Sequence, residues 1–151
     1  MLALDTPTRG RFVGAEHRFP LRVYFEDTDL AGIVYYANYL RFMERARSDM
    51  LRLVGVDQRG TLERGEGVYA VADVAIRYRR PAKLDDALLV VSRIETVRAA
   101  AVVIHQAVRR GEVVCTEARV TAAWLTPDGR PQRQPHAWVD LFGRVQRGEW
   151  A

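Results

Sequence analysis

The chain is short of several things, and each shortage closes a route. It holds one cysteine, Cys115, so no disulfide can form within it. That agrees with a reducing compartment. Cys115 stands in a stretch of strand-like alternation, where a small packing residue is expected rather than a nucleophile. Lys83 is the one lysine, so the formal net charge of +4 rests almost wholly on arginine. A basic surface attracts anions in general. These arginines are spread along the chain and not gathered in one run, which argues against nucleic acid as a partner.

Catalytic constellations are equally scarce. The only serines, Ser48 and Ser92, do not stand in a G-x-S-x-G elbow, which excludes a serine hydrolase of that kind. His17, His105 and His136 lie far apart, with no other ligand types at metal spacing, so no metal is expected. His105 alternates with valines and reads as a hydrogen-bonded structural residue in a strand. No glycine-rich phosphate loop with its lysine is present. No apolar run approaches the roughly 20 residues of a membrane span. The first stretch, interrupted by Asp5, Arg9, Arg11 and Glu16, lacks the apolar centre of a secretory signal, so a cytoplasmic location is expected.

What is there fits one α+β domain. A chain of 151 residues with 48% hydrophobic and 28% charged residues can bury a core and is not expected to be disordered. Residues 1–16 read as a flexible lead-in, and 17–151 as a single domain. Residues 17–26 set Phe19, Leu21, Val23 and Phe25 against Arg18, Arg22 and Tyr24, the period of a half-buried strand. Over 37–54 the period changes. Tyr39, Met43, Ala46, Met50 and Leu53 recur at steps of three and four, and Gly55 follows where a helix end favours a left-handed residue. The apolar arc of this helix, widened by Leu40, Phe42, Leu51 and Val54, is too broad for one flat support, so something must wrap around it.

Residues 56–67 read as a polar, glycine-rich loop. Strands are expected at 68–80, 87–98, 100–110 and 113–125, with a tight turn at Arg110-Gly111-Glu112. The motif Thr126-Pro127-Asp128-Gly129 stops the last of them. A short helix is expected near Trp138, Leu141, Phe142 and Val145. Five strands joined by short turns and one long helix imply a curved antiparallel sheet wrapped around that helix. Such a sheet leaves an edge open, and pairing of two copies is expected.

Chemistry concentrates at residues 26–39, EDTDLAGIVYYANY, between the first strand and the helix. One reading is structural: aspartates before a helix cap its free N–H groups. The other uses the same physics for catalysis. An electrophilic carbonyl at the helix start would have its developing oxyanion held by those N–H groups, while a carboxylate just upstream attacks it or activates water. Gly32 would let backbone and substrate approach closely.

The run VYFEDTDLAGIVYYANYLRFMERARSDMLRLVG, residues 23–55, closely resembles the signature of the 4-hydroxybenzoyl-CoA thioesterase family. Within that family it looks most like the thioesterases associated with the Tol–Pal envelope system. The likeness continues through VADVAIRYRRPAKLDD at 71–86 and VRAAAVV at 97–103. It implies a hotdog fold, an acyl-CoA substrate, no cofactor beyond the CoA of that substrate, and a homodimer or homotetramer. Envelope or lipid-metabolism partners follow from the same likeness. By resemblance the catalytic carboxylate falls on Asp29, and the oxyanion donor on the backbone N–H of Tyr36. Tyr24, Gly32, Val34, Tyr35, Asn38 and Tyr39 fall on the substrate site, and Arg79, Arg80 and Lys83 near the CoA phosphates.

One departure stands out: many of the Tol–Pal-associated relatives carry histidine where this chain has Tyr36. A phenol is a poor general base at neutral pH, so the resemblance implies either that Asp29 works without an imidazole, as in the family's hydroxybenzoyl-specific branch, or that activity is low. Two other roles remain open. A hotdog dehydratase would need a histidine near the helix, and none lies in 18–104. A non-catalytic acyl-CoA-binding or scaffold protein of the envelope system would need no turnover at all.

Overall fold

The computed structural model describes residues 5–150; the first four residues of the expected lead-in, and Ala151, lie outside the described residues. The elements run β1 (Arg11–Val13), β2 (Glu16–Arg22), α1 (Asn38–Leu53), α2 (Gln58–Glu63), β3 (Val68–Tyr78), β4 (Ala87–Val97), β5 (Ala101–Arg110), β6 (Val113–Leu125) and α3 (His136–Gln146). They form one antiparallel sheet in the order β1-β2-β4-β5-β6-β3 around α1, the hotdog arrangement. Because β4, β5 and β6 follow one another through short turns, they occupy the middle. The chain then needs α1 and α2 to carry it from β2 on one flank to β3 on the other.

There are six strands, not five. The extra one, β1, falls in the expected lead-in and pairs Phe12 with His17. Three residues are too few for a period-two pattern to be read. The segment 56–67 likewise holds α2, whose start is capped by Asp57 accepting the Gly60 N–H at 3.0 Å.

α1 forms because no glycine or proline interrupts 38–53 and because Tyr39, Phe42, Met43, Ala46 and Met50 fall on one face, all buried. Gly55 ends it with φ +92. Its N–H donates to the Arg52 carbonyl at 3.1 Å and that of Val56 to the Leu51 carbonyl at 2.9 Å. These two bonds are the Schellman pattern, completed by the apolar pair Leu51 and Val56.

Two apolar clusters line the helix. One surrounds its first half through Val23, Phe42, Met43, Val90, Val108 and Val120. The other, around Met50, Ile104, Phe142 and Val145, is closed by α3. Truncating Phe42, which is fully buried, to alanine is expected to cost about 3–5 kcal/mol. Between the clusters lies a polar layer. Gln106, fully buried, donates through Nε2 to the Met43 carbonyl and to Ser92 Oγ, both at 2.9 Å.

Candidate active site

The turn between β2 and α1 is shaped by its own carboxylates. Asp27 is buried, and its Oδ2 accepts the Tyr24 N–H at 2.8 Å, closing a single 3-10 turn at Phe25–Asp27. This ends β2 at Arg22 instead of carrying it to residue 26. It also leaves Phe25 81% exposed, where the alternation had placed it in the core. The Asp27 carbonyl then accepts the Tyr35 N–H at 2.9 Å and Asn38 Nδ2 at 3.0 Å, tying the acidic turn to the first residue of the helix.

Asp29 is placed differently. It opens a tight reversal in which its N–H donates to the Ile33 carbonyl at 2.9 Å and its carbonyl accepts the Gly32 N–H at 3.0 Å. Oδ1 accepts the Ala31 N–H at 2.8 Å, which fixes the side-chain torsion, while Oδ2 has no partner among the described residues. The carboxylate is exposed. Gly32 has φ +80, a conformation glycine adopts without steric cost, and the space beside it is open.

The helix begins without a side-chain cap at its N-terminus. Among the described residues the N–H groups of Tyr36 and Ala37, just ahead of Asn38, donate to no protein acceptor. Free N–H groups at a helix start attract negative charge. The connection between β2 and α1 therefore carries both an exposed carboxylate with one free oxygen and a set of unspent backbone donors.

Aromatic rings surround this turn. Tyr24 and Tyr36 are 63% and 60% exposed. The Tyr36 ring lies 4.9 Å from that of Tyr35 and 6.0 Å from that of Tyr78, centre to centre. Interaction with Tyr36 raises the Tyr35 phenol above its ordinary value, and burial raises that of Tyr78, so neither takes up a base's role near neutrality.

Val34 and Tyr39, in contrast, are buried in the core. Both hold Ala82: the Val34 N–H donates to its carbonyl at 2.8 Å, and its N–H donates to the Tyr39 hydroxyl at 3.2 Å. Their contact is with the protein interior, and they position the segment that follows β3. Tyr78 and Ala82 were not picked out in the sequence. The signal for Tyr78 was available, since it is the last aromatic of its strand and stands directly ahead of the basic cluster.

Arg79, Arg80 and Lys83 are exposed and close to the turn, because Ile33 and Lys83 form an antiparallel bridge. Arg79 Nη2 donates to Glu117 Oε1 at 2.6 Å, and Arg80 Nη1 to the Arg79 carbonyl at 3.0 Å. The Lys83 ammonium makes no ion pair among the described residues.

Elsewhere the histidines behave unlike the sequence reading. His105 lies half-buried in β5, opposite Arg93 and Arg119, with no side-chain hydrogen bond among the described residues. His17 is the bonded one: it is fully buried, with Nε2 2.7 Å from Asp49 Oδ2. Cys115 is fully buried and its thiol is pushed up by that burial, which suits packing. No helix among the described residues is long and apolar enough to cross a membrane.

The model of the thioesterase-like superfamily matches residues 23–142. The chain belongs to that superfamily. It is 41% identical over 105 residues to the acyl-CoA thioesterase YbgC of Haemophilus influenzae, covering 70% of this chain and 77% of that one. To the acyl-CoA thioester hydrolase YbgC of Escherichia coli it is 36% identical over 127 residues, covering 83% and 94%.

Among solved structures, a probable thioesterase from Bartonella henselae superposes with a TM-score of 0.75 at 35% identity, over 80% of this chain and 99% of that one. A 4-hydroxybenzoyl CoA thioesterase, solved as an aspartate-to-asparagine mutant with 4-hydroxybenzoyl CoA, superposes with the same TM-score of 0.75. Its 23% identity, over 84% of this chain and 98% of that one, speaks for the fold alone.

Proposed function

We propose that the protein hydrolyses acyl-CoA thioesters at the turn between β2 and α1, with Asp29 as the reacting carboxylate. The observation that carries this is that one connection, between β2 and α1, holds both a free Asp29 oxygen and the unspent N–H groups of Tyr36 and Ala37. The thioester carbonyl oxygen sits against those N–H groups. The carboxylate attacks the carbonyl carbon, or removes a proton from a water that does. The carbon–sulfur bond then breaks, CoA leaves as its thiol, and the acyl group departs as the free acid once water has been added. Backbone donors of this kind typically contribute about a hundredfold to a thousandfold in rate each.

Arg79, Arg80 and Lys83 hold CoA phosphates, which their position beside the turn supports. We place the substrate's acyl end against Tyr24, Tyr35 and Tyr36. A homodimer forms through β3, an eleven-residue strand left at the sheet edge. The other edge strand, β1, has only three residues and offers little to pair with. The enzyme works in the cytoplasm, within reach of the Tol–Pal system.

The test is release of free thiol from a panel of acyl-CoAs by the purified protein. Turnover supports hydrolysis. Tight binding of acyl-CoA without turnover would instead favour a scaffold or carrier role.

A further inference from the structure

α1 packs chiefly on β2, β4 and β5, which leaves the side of the helix toward β3 less closely covered. On that side Leu40, Glu44 and Ser48 follow one another at steps of four, the spacing that stacks side chains along one face, and Tyr36 lies just ahead of the helix. Strand β3 runs beside them in the opposite sense. The Tyr78 ring meets Tyr36 and Tyr39 at the start of the helix, while Tyr69 at the far end of β3 shares a cavity with Ser48 and Leu51. β3 and this side of the helix thus run alongside one another from the candidate catalytic turn to that cavity.

The cavity is about 130 Å³ and is lined by Glu44, Arg47, Ser48, Leu51, Tyr69 and Ile104, among others. An apolar cavity of about 150 Å³ can take up a benzene-sized group. Its walls are mainly apolar, yet one of them carries a guanidinium. Among the described residues Arg47 makes a single hydrogen bond, from Nη1 to Gln106 Oε1 at 2.9 Å, and no ion pair. Gln106 is in turn held from below by Met43 and Ser92, so this anchor is rigid. Burial lowers the Arg47 value from its ordinary range, and the charge of nearby Glu44 offsets only part of that effect. Glu44, on the same wall, has Oε1 accepting from Ser48 Oγ at 2.7 Å.

We infer that this cavity receives the far end of the acyl chain and that Arg47 selects chains ending in a hydroxyl over chains ending in a methyl. The inference rests on the hydrolytic reading above and names its substrate class. A hydroxyl is the terminal group that fits both neighbours, since it accepts from the guanidinium and donates to the Glu44 carboxylate. A carboxylate would meet Glu44 as a like charge. The length follows from the helix. Arg47 lies about 13 Å along the axis from Asn38, at about 1.5 Å per residue. An extended chain covers about 3.5 Å in three bonds, so about eleven bonds span that distance. The acyl group is therefore a medium-length chain with an oxygen at or near its tip.

The test compares dodecanoyl-CoA with 12-hydroxydodecanoyl-CoA. Wild-type protein is expected to favour the hydroxylated chain about tenfold in kcat/KM, the worth of one hydrogen bond to a charged group. Arg47→Met should bring that ratio to about one or below, and Arg47→Lys should keep part of it, with circular dichroism confirming that each variant is folded. A wild-type ratio of one, or an Arg47→Met protein that loses both substrates alike, overturns the inference. A second measurement separates it from the hydrolytic reading: calorimetric binding of both thioesters to Asp29→Asn. Preferential binding of the hydroxylated chain, with no turnover of either by wild type, sinks hydrolysis and upholds the selection. Turnover of both without preference does the reverse.

Discussion

Asn38 donates its side-chain amide to the backbone carbonyl of Asp27 at 3.0 Å, so the first residue of the central helix grips the turn that carries Asp29. The carbonyl it grips also accepts the Tyr35 N–H at 2.9 Å, and the two bonds together tie the helix mouth to the turn that carries the proposed reacting carboxylate. In the proposed mechanism Asn38 acts on chemistry through this placement. Replacing it with alanine is expected to cost about 1 kcal/mol of stability, one hydrogen bond's worth. The same change should lower kcat more than it raises KM. Steady-state kinetics beside urea denaturation checks both; a variant with wild-type kcat would show that the grip is dispensable.

The Tyr36 side chain and its backbone should behave oppositely. Tyr36→Phe keeps the N–H and the ring, and retains most of the activity. Tyr36→Pro removes the N–H and should lose about a hundredfold to a thousandfold in kcat while still binding CoA thioesters. Equal damage from both changes would move the oxyanion site elsewhere.

Much of this was legible in the sequence, for physical reasons. The central helix shows because its apolar positions recur over sixteen residues, from Asn38 to Leu53, and Gly55 marks the stop with a left-handed backbone. The long strands show because they alternate over ten residues or more. β1 and α2 did not show, as three and six residues carry too little periodicity. Phe25 misled because alternation cannot register a side-chain bond: Asp27 captures the Tyr24 N–H and turns the chain before Phe25 can face inward. Tyr39 and Val34 belong to the family signature, yet the structure spends both on the core around Ala82. The Arg47 cavity was out of reach for another reason. It depends on Gln106, fifty-nine positions away, and no local pattern reports such a contact.

The buried pair of His17 and Asp49 gives the fold a pH dependence of definite sign. His17 Nε2 and Asp49 Oδ2 are 2.7 Å apart, Asp49 also accepts the Gly10 N–H at 2.9 Å, and His17 Nδ1 is buried with no partner. The Phe12 ring packs on the imidazole edge to face. Burial lowers the His17 value, outweighing the opposite pull of Asp49. The folded state therefore holds the imidazole neutral, with its proton on Nε2. The unfolded chain takes up a second ring proton near its ordinary value of about 6.5, where the folded protein does not. Stability is thus full above that pH and declines as pH falls through it toward the lowered folded value. Urea midpoints for wild type should drop between pH 8 and pH 5.5, and His17→Gln should flatten that drop. A wild-type midpoint that rises on acidification would contradict the assignment.

Light scattering at micromolar concentration should give the mass of two chains if the proposed pairing through the β3 edge holds. A stable single chain would mean that the edge is protected in some other way.

The most direct measurement is thiol release from acyl-CoA by wild type and by Asp29→Asn, both confirmed as folded by circular dichroism. The account predicts turnover by wild type and a loss of about a hundredfold to ten-thousandfold in kcat for the variant, with acyl-CoA still bound. An Asp29→Asn protein that hydrolyses the same thioesters at the wild-type rate would contradict it.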